Sequence, residues 1–108
     1  MSMHIEAVAE EAISPQARTY AEYRVFAALA RVARHVRRAR IVLRRVDRDG
    51  CESVACTVTI ALEASPPVRI RATGGHAYAA INRAVERIST ATARPATETF
   101  QIDPTVST

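Results

Sequence analysis

Hydrophobic and polar positions alternate most regularly in "SVACTVTIALE", residues 53–63. There Val54, Cys56, Val58, Ile60 and Leu62 interleave with Ala55, Thr57, Thr59 and Ala61. A period of two over this length predicts a strand with one buried and one wet face. The same period recurs in three shorter stretches. "MHIEAVA" sets Met3, Ile5 and Ala7 on one side. "RARIVLRRV", from Arg38, opposes Ala39, Ile41 and Leu43 to Arg40 and Arg44, and "VRIRAT" opposes Val68, Ile70 and Ala72 to Arg69 and Arg71. "DRDG" at 47–50 reads as a hairpin turn, and "ASPP" at 64–67 as the break before the last strand.

Two segments carry a helical period instead. "ISPQARTYAEYRVFAALARVARHV" opens with Ser14 as N-cap and Pro15 at the first helical position. Ala21, Val25, Ala28, Leu29, Val32 and Val36 then form an apolar stripe, which predicts a helix running to about residue 36. "HAYAAINRAVERISTATAR" forms a second stripe through Ala77, Ile81, Ala84, Val85 and Ile88, and Pro95 ends it. The glycines before it, Gly74 and Gly75, are expected to supply positive φ. They match neither a GxGxxG nor a Walker loop. The order β-α-β-β-β-α predicts an α+β two-layer sandwich, a four-stranded, mostly antiparallel sheet with two helices on one face. Thr and Arg side chains cover the other face. Residues 1–94 are expected to form this domain, and the Pro- and Thr-rich 95–108 a flexible C-terminal tail.

Composition narrows the function classes. A chain of 108 residues, 48% hydrophobic, suffices for one domain with a core and excludes a fully disordered class. No apolar run reaches membrane-spanning length, and the acidic beginning lacks the order of a signal peptide, so a cytoplasmic location is expected. Cys51 and Cys56, five strand steps apart, would lie about 16 Å from each other, too far to bond within one strand. His4, His35 and His76 do not sit at metal spacing, so no metal or other cofactor is expected. Aligning Gly50 with the sixth position of a calcium loop would place Arg45 first and Cys56 twelfth, neither a suitable ligand. With no nucleophile elbow or paired carboxylates, neither an enzyme nor a small-molecule substrate is expected.

Charge changes the picture. All fifteen basic residues are Arg, and the net charge is +4. Between Arg18 and Arg48 ten arginines face only Glu22 and Asp47, a local balance of +8 against −4 for the remainder. "ARVARHVRRARIVLRR" alone carries seven arginines and a histidine without an acid. On a continuous first helix, Arg24, Arg31, His35 and Arg38 would fall within about 60° of the wheel. Such a row repels itself, and a polyanion would relieve it. The plain alternative is an ordinary solvated helix face. Arg83 and Arg87 sit one turn apart on the second helix, with Glu86 between them. Tyr78 falls near the buried stripe and is expected in the core. Tyr20 and Tyr23 cannot both face inward.

"GGHAYAAINRAVERI" resembles the second-helix signature of the ribosome hibernation-promoting factors, the ribosome-associated inhibitor or sigma-54 modulation family. That signature has an acid followed by a Tyr-Ala-Ala-Ile-Asp run. "YRVFAALARVARHVRRARIVL" is similar to the family's first helix and second strand, and "ACTVTIAL" to its Cys-containing third strand. The resemblance spans about Met3 to Arg94. It implies a fold like a double-stranded-RNA-binding domain and a non-enzymatic factor of the cytoplasm. Such a factor binds the 30S subunit, within the 70S ribosome, against 16S rRNA in the mRNA and tRNA channel. It thereby inhibits translation in stationary phase or stress. The chain looks like a short form, without the dimerising domain of longer members. On this reading Arg24, Arg31, Arg34, Arg37 and Arg38 carry most RNA contacts, with Arg83 and Arg87 as a second line. Two positions depart from the pattern. His76 replaces an acid, which is expected to weaken a helix cap, and Asn82 replaces the Asp of the Ile-Asp pair. A diverged protein-interaction module and a generic double-stranded-RNA binder are the alternative classes.

Overall fold

The computed structural model describes residues 3–30 and 35–93. In chain order these form β1 (His4–Ala9), α1 (Pro15–Leu29), β2 (Val36–Arg48), β3 (Cys51–Leu62), β4 (Ser65–Gly74) and α2 (Ala77–Ala93). The expected element order therefore holds. The strands lie side by side in the order β1-β2-β3-β4. β1 runs parallel to β2, joined through α1, while β2–β3 and β3–β4 are antiparallel. α1 packs on β1 and β2, α2 on β3 and β4, and the two helices touch.

Alternation decides which face is covered. Ala39, Ile41 and Leu43 of β2 and Cys56, Val58 and Ile60 of β3 point under the helices and are essentially inaccessible. They meet Ala21, Val25 and Leu29 of α1 and Ile81, Ala84 and Ile88 of α2 in a single core. The largest fully buried side chains are Leu, Ile and Val together with Cys56, with no aromatic among them. Each Leu, Ile or Val so buried stabilises the fold by about 1.5–3 kcal/mol. Ser14 caps α1 as expected, its Oγ accepting from the Ala17 amide at 3.2 Å.

Four local expectations are corrected. The first helix stops at Leu29, where the amide of the capping Ala30 donates to the Ala27 carbonyl. Val36 begins β2 instead, opposite Leu62, and is still buried. A strand suits the run beyond it, because period two sends Ala39, Ile41 and Leu43 inward and the arginines between them outward. Secondly, Pro66 and Pro67 do not break the sheet, since β4 starts at Ser65 and the turn lies at Glu63 and Ala64. β4 is an edge strand, where a missing amide donor costs no ladder bond. Thirdly, Gly74 and Gly75 do not have positive φ; among the glycines only Gly50 does, at 79°. Gly50 and Asp49 (φ 52°) form the two-residue turn between β2 and β3. Gly74 is required for space, because a Cβ there would lie 2.7 Å from the Ala80 amide nitrogen at the start of α2. Lastly, Tyr78 is 39% exposed rather than in the core. Tyr20 is half-buried against the core and Tyr23 exposed, so only one of that pair turns inward. The segment 95–108 lies outside the described residues.

Candidate nucleic-acid interface

The arginine-rich segment folds into two different elements, and its charge is divided accordingly. Arg24 belongs to α1. It is half-buried, with its guanidinium carbon 5.9 Å from the centre of the Tyr20 ring. Its Nε is buried and has no hydrogen-bond partner. Arg31 and Arg34 lie outside the described residues. Arg37 and Arg38 belong to β2, where the register shifts between Val36 and Arg38, and both are exposed. Arg38 thus cannot continue a helical row from Arg24.

Arg83 and Arg87 project from α2 over the free edge of β4. Arg83 donates to the Thr73 carbonyl at 2.9 Å and Arg87 to the Arg71 carbonyl at 2.6 Å. Each bond satisfies an edge carbonyl that lacks a strand partner. Both side chains stay exposed, and a guanidinium has further N–H donors to offer a phosphate. Their position is therefore fixed by the sheet before any ligand arrives.

The two sequence departures have local explanations. His76 does cap α2, its Nδ1 accepting from the Ala79 amide at 3.3 Å. Asn82 Oδ1 accepts from the Tyr20 hydroxyl at 2.7 Å, tying α2 to α1. The Tyr20 ring also meets Tyr78 edge-on at 5.0 Å. The seam between the helices is thus polar and aromatic, with Arg24 one turn beyond it.

The open face of the sheet carries more cations than the candidate set included. Arg40 and Arg44 of β2 and Arg69 and Arg71 of β4 join Arg38 there, all exposed. Their outward direction is legible in the alternation, and they are additional to the RNA contacts that the resemblance implies. Acids from the β1 side relieve two of them, Arg40 with Glu6 at 3.7 Å and Arg44 with Glu10 at 3.8 Å. On the helix-bearing side Arg45 pairs with Glu52.

Little in the described residues suggests other chemistry. No His, Cys, Asp and Glu group among them could hold a metal ion, and no described helix is long and apolar enough to cross a membrane. Cys51 and Cys56 are both free, Cys51 exposed and Cys56 buried. Burial pushes the Cys56 thiol up to about 12, so it is inert as a nucleophile near neutrality.

A mixed four-stranded sheet with two helices on one side and arginines along its exposed borders defines the class. The chain belongs to the Sigma 54 modulation protein / S30EA ribosomal protein family, whose model matches residues 10–94. Among solved structures it is similar to the N-terminal domain of Protein Y from Thermus thermophilus. The two share 26% identity at a TM-score of 0.60, over 83% of this chain and 93% of that one. A ribosomal subunit interface protein from Coxiella burnetii, 15% identical at a TM-score of 0.59, covers 83% of this chain and 91% of its own and shares the fold. No curated protein matches the chain in sequence.

Proposed function

We propose that this protein is a ribosome hibernation factor. It would bind the small subunit against 16S rRNA in the channel used by mRNA and tRNA, and inhibit translation by occupying that space. The observation that carries the reading is the family match over residues 10–94. A solved structure described as a ribosomal subunit interface protein shares the fold. Arg24, Arg31, Arg34, Arg37 and Arg38 are proposed as the principal phosphate contacts, with Arg83 and Arg87 beside them. An A-form groove gives side chains little sequence to read, so recognition rests on shape and charge. The proposed action is binding, performed in the cytoplasm, and requires no cofactor and no chemical step.

Two features of the helix layer support this reading over a diverged protein-interaction module. The His76 and Asn82 departures are absorbed by a helix cap and an interhelical hydrogen bond. Arg24 is also placed in advance, its guanidinium carbon lying 5.9 Å from the centre of the Tyr20 ring beside the seam between the helices.

The test is cosedimentation with 30S subunits over a salt series. With six phosphate contacts, log affinity should fall against log salt with a slope of about −4 to −5. Reversing Arg31, Arg34 and Arg38 to Glu should abolish binding. A slope near zero, or binding that survives the reversal, refutes the electrostatic mechanism and favours the interaction module. Equal affinity for a free RNA duplex and for ribosomes favours the generic binder.

A further inference from the structure

Of the contacts proposed above, Arg24, Arg83 and Arg87 stand on the helices, and Arg38 alone is shared with the open face of the sheet. The opposite, open face of the sheet has its own order. β2 presents Arg38, Arg40 and Arg44 in one column, β4 presents Arg69 and Arg71 in another, and Thr57 and Thr59 of β3 lie between. Pairing places Arg40, Thr59 and Arg69 in one row and Val42, Thr57 and Arg71 in the next. Sheet geometry sets the columns about 10 Å apart and successive outward residues about 7 Å apart along each. Glu6 and Glu10 relieve Arg40 and Arg44 from the β1 side. Arg38, Arg69 and Arg71 form no ion pair with a described carboxylate. The charge therefore rises toward β4, on exposed strand positions where the fold needs no arginine.

We propose that this open face is a second RNA-binding surface, fitted to the sugar–phosphate surface of an RNA duplex. Three observations select that partner. The face is a sheet rather than a cleft, and suits the wide, shallow minor groove of an A-form helix. Its central column is threonine, whose hydroxyls can donate to phosphate oxygens and exchange hydrogen bonds with 2′-hydroxyls, between two columns of guanidinium forks. No Phe, Tyr or Trp of the described residues lies on it, so it offers no stacking platform for single-stranded bases. A protein partner would need an apolar anchor at the centre, whereas the centre of this face holds Thr57 and Thr59, and its apolar residues, Val8, Val42, Val46, Ala55 and Ala61, are spread over three strands. The inference rests on the ribosomal reading for the source of the duplex, a ribosomal RNA helix on the side away from α1 and α2. The protein then bridges two RNA elements instead of lying against one.

The experiment compares the full chain with Arg69→Gln/Arg71→Gln, positions outside the contacts proposed above, and with Thr59→Glu, which sets an acid between the columns. Thermal unfolding checks that each variant is folded. Binding is measured to a blunt RNA duplex and to 30S subunits over a salt series. Losing two phosphate contacts should make the log–log salt slope shallower by about 1.5 for the duplex and lower affinity about tenfold at low salt. Thr59→Glu should weaken duplex binding in the same direction. An unchanged slope and affinity in both variants overturns the inference, and the ribosomal reading then stands or falls on the wild-type cosedimentation alone. Ribosome binding absent from the wild type, with duplex binding still dependent on Arg69 and Arg71, sinks the ribosomal reading and keeps the face. Variants that lose binding to poly-glutamate but keep the duplex assign the face to an acidic protein and overturn the proposal.

Discussion

Replacing Gly74 by alanine tests how tightly the last strand is locked to the helix that carries Arg83 and Arg87. A Cβ at this position would meet the Ala80 nitrogen at 2.7 Å, the Ala79 Cβ at 2.8 Å and the Ala79 carbonyl carbon at 2.9 Å. Ordinary contact begins near 3.4 Å, so about 0.7 Å must be found. Two of the three neighbours are backbone atoms in the first turn of α2 and cannot swing aside as a long side chain would. The helix must move as a body, and with it Ile81, Ala84 and Ile88, which are fully buried. Overpacking of this kind costs about 1–3 kcal/mol. The entropy that alanine removes from the unfolded chain returns roughly 0.4–1 kcal/mol at most. With only backbone able to yield, a net loss of about 2 kcal/mol is expected, or roughly 8–16 °C in Tm. Gly75→Ala is the control, because nothing lies within 4 Å of its would-be Cβ and its φ is not positive. That variant should melt at or slightly above the wild-type temperature. Thermal and urea unfolding followed by circular dichroism reads both. If Gly74→Ala melts within about 2 °C of wild type, or Gly75→Ala proves the worse of the two, the close-approach argument is wrong.

Other consequences are open to the same kind of measurement. Ser14→Ala removes the acceptor of the Ala17 amide and should cost about 1 kcal/mol in urea unfolding; no change would mean the first turn of α1 is held by packing alone. Tyr20→Phe breaks the 2.7 Å bond to Asn82 and should cost about 1 kcal/mol. In an Asn82→Ala background, which lacks the acceptor, the same change should cost much less; equal costs in this double-mutant cycle would deny the contact any energetic role. The Cys56 thiol ionises near 9.0 when unfolded but keeps its proton to about 12 in the fold. Its contribution to stability is therefore intact below pH 9 and declines between pH 9 and 12, by roughly 1 kcal/mol per unit. Urea unfolding at pH ~8 and ~10 should show a smaller loss for Cys56→Ala than for wild type, and identical losses would contradict the buried thiol.

The faces of the strands were readable from the chain because period two is imposed by the backbone itself. Val54, Cys56, Val58 and Ile60 go inward whatever else happens. The limit of α1 was not readable in the same way. Val36 continues the helical spacing of Val25, Leu29 and Val32 in the sequence, yet it pairs with Leu62, a cross-strand partner 26 positions away. Pro66 and Pro67 misled for a related reason, since nothing local announces that β4 is an edge. The candidate interface inherited the first difficulty. Whether Arg38 extends a row from Arg24 or joins Arg40 and Arg69 depends wholly on where the helix ends. Gly74 was singled out for the wrong property, because its tight approach to Ala79 and Ala80 exists only after sheet and helix have met.

The bonds from Arg83 and Arg87 to the carbonyls of Thr73 and Arg71 bear on solubility. A bare outer strand is a template on which a neighbouring molecule can add its own backbone. Here that border is stoppered by the two guanidiniums, leaving the short β1 as the accessible margin of the sheet. Substituting either arginine unseals the border, so such variants invite edge-to-edge association even when each copy folds correctly.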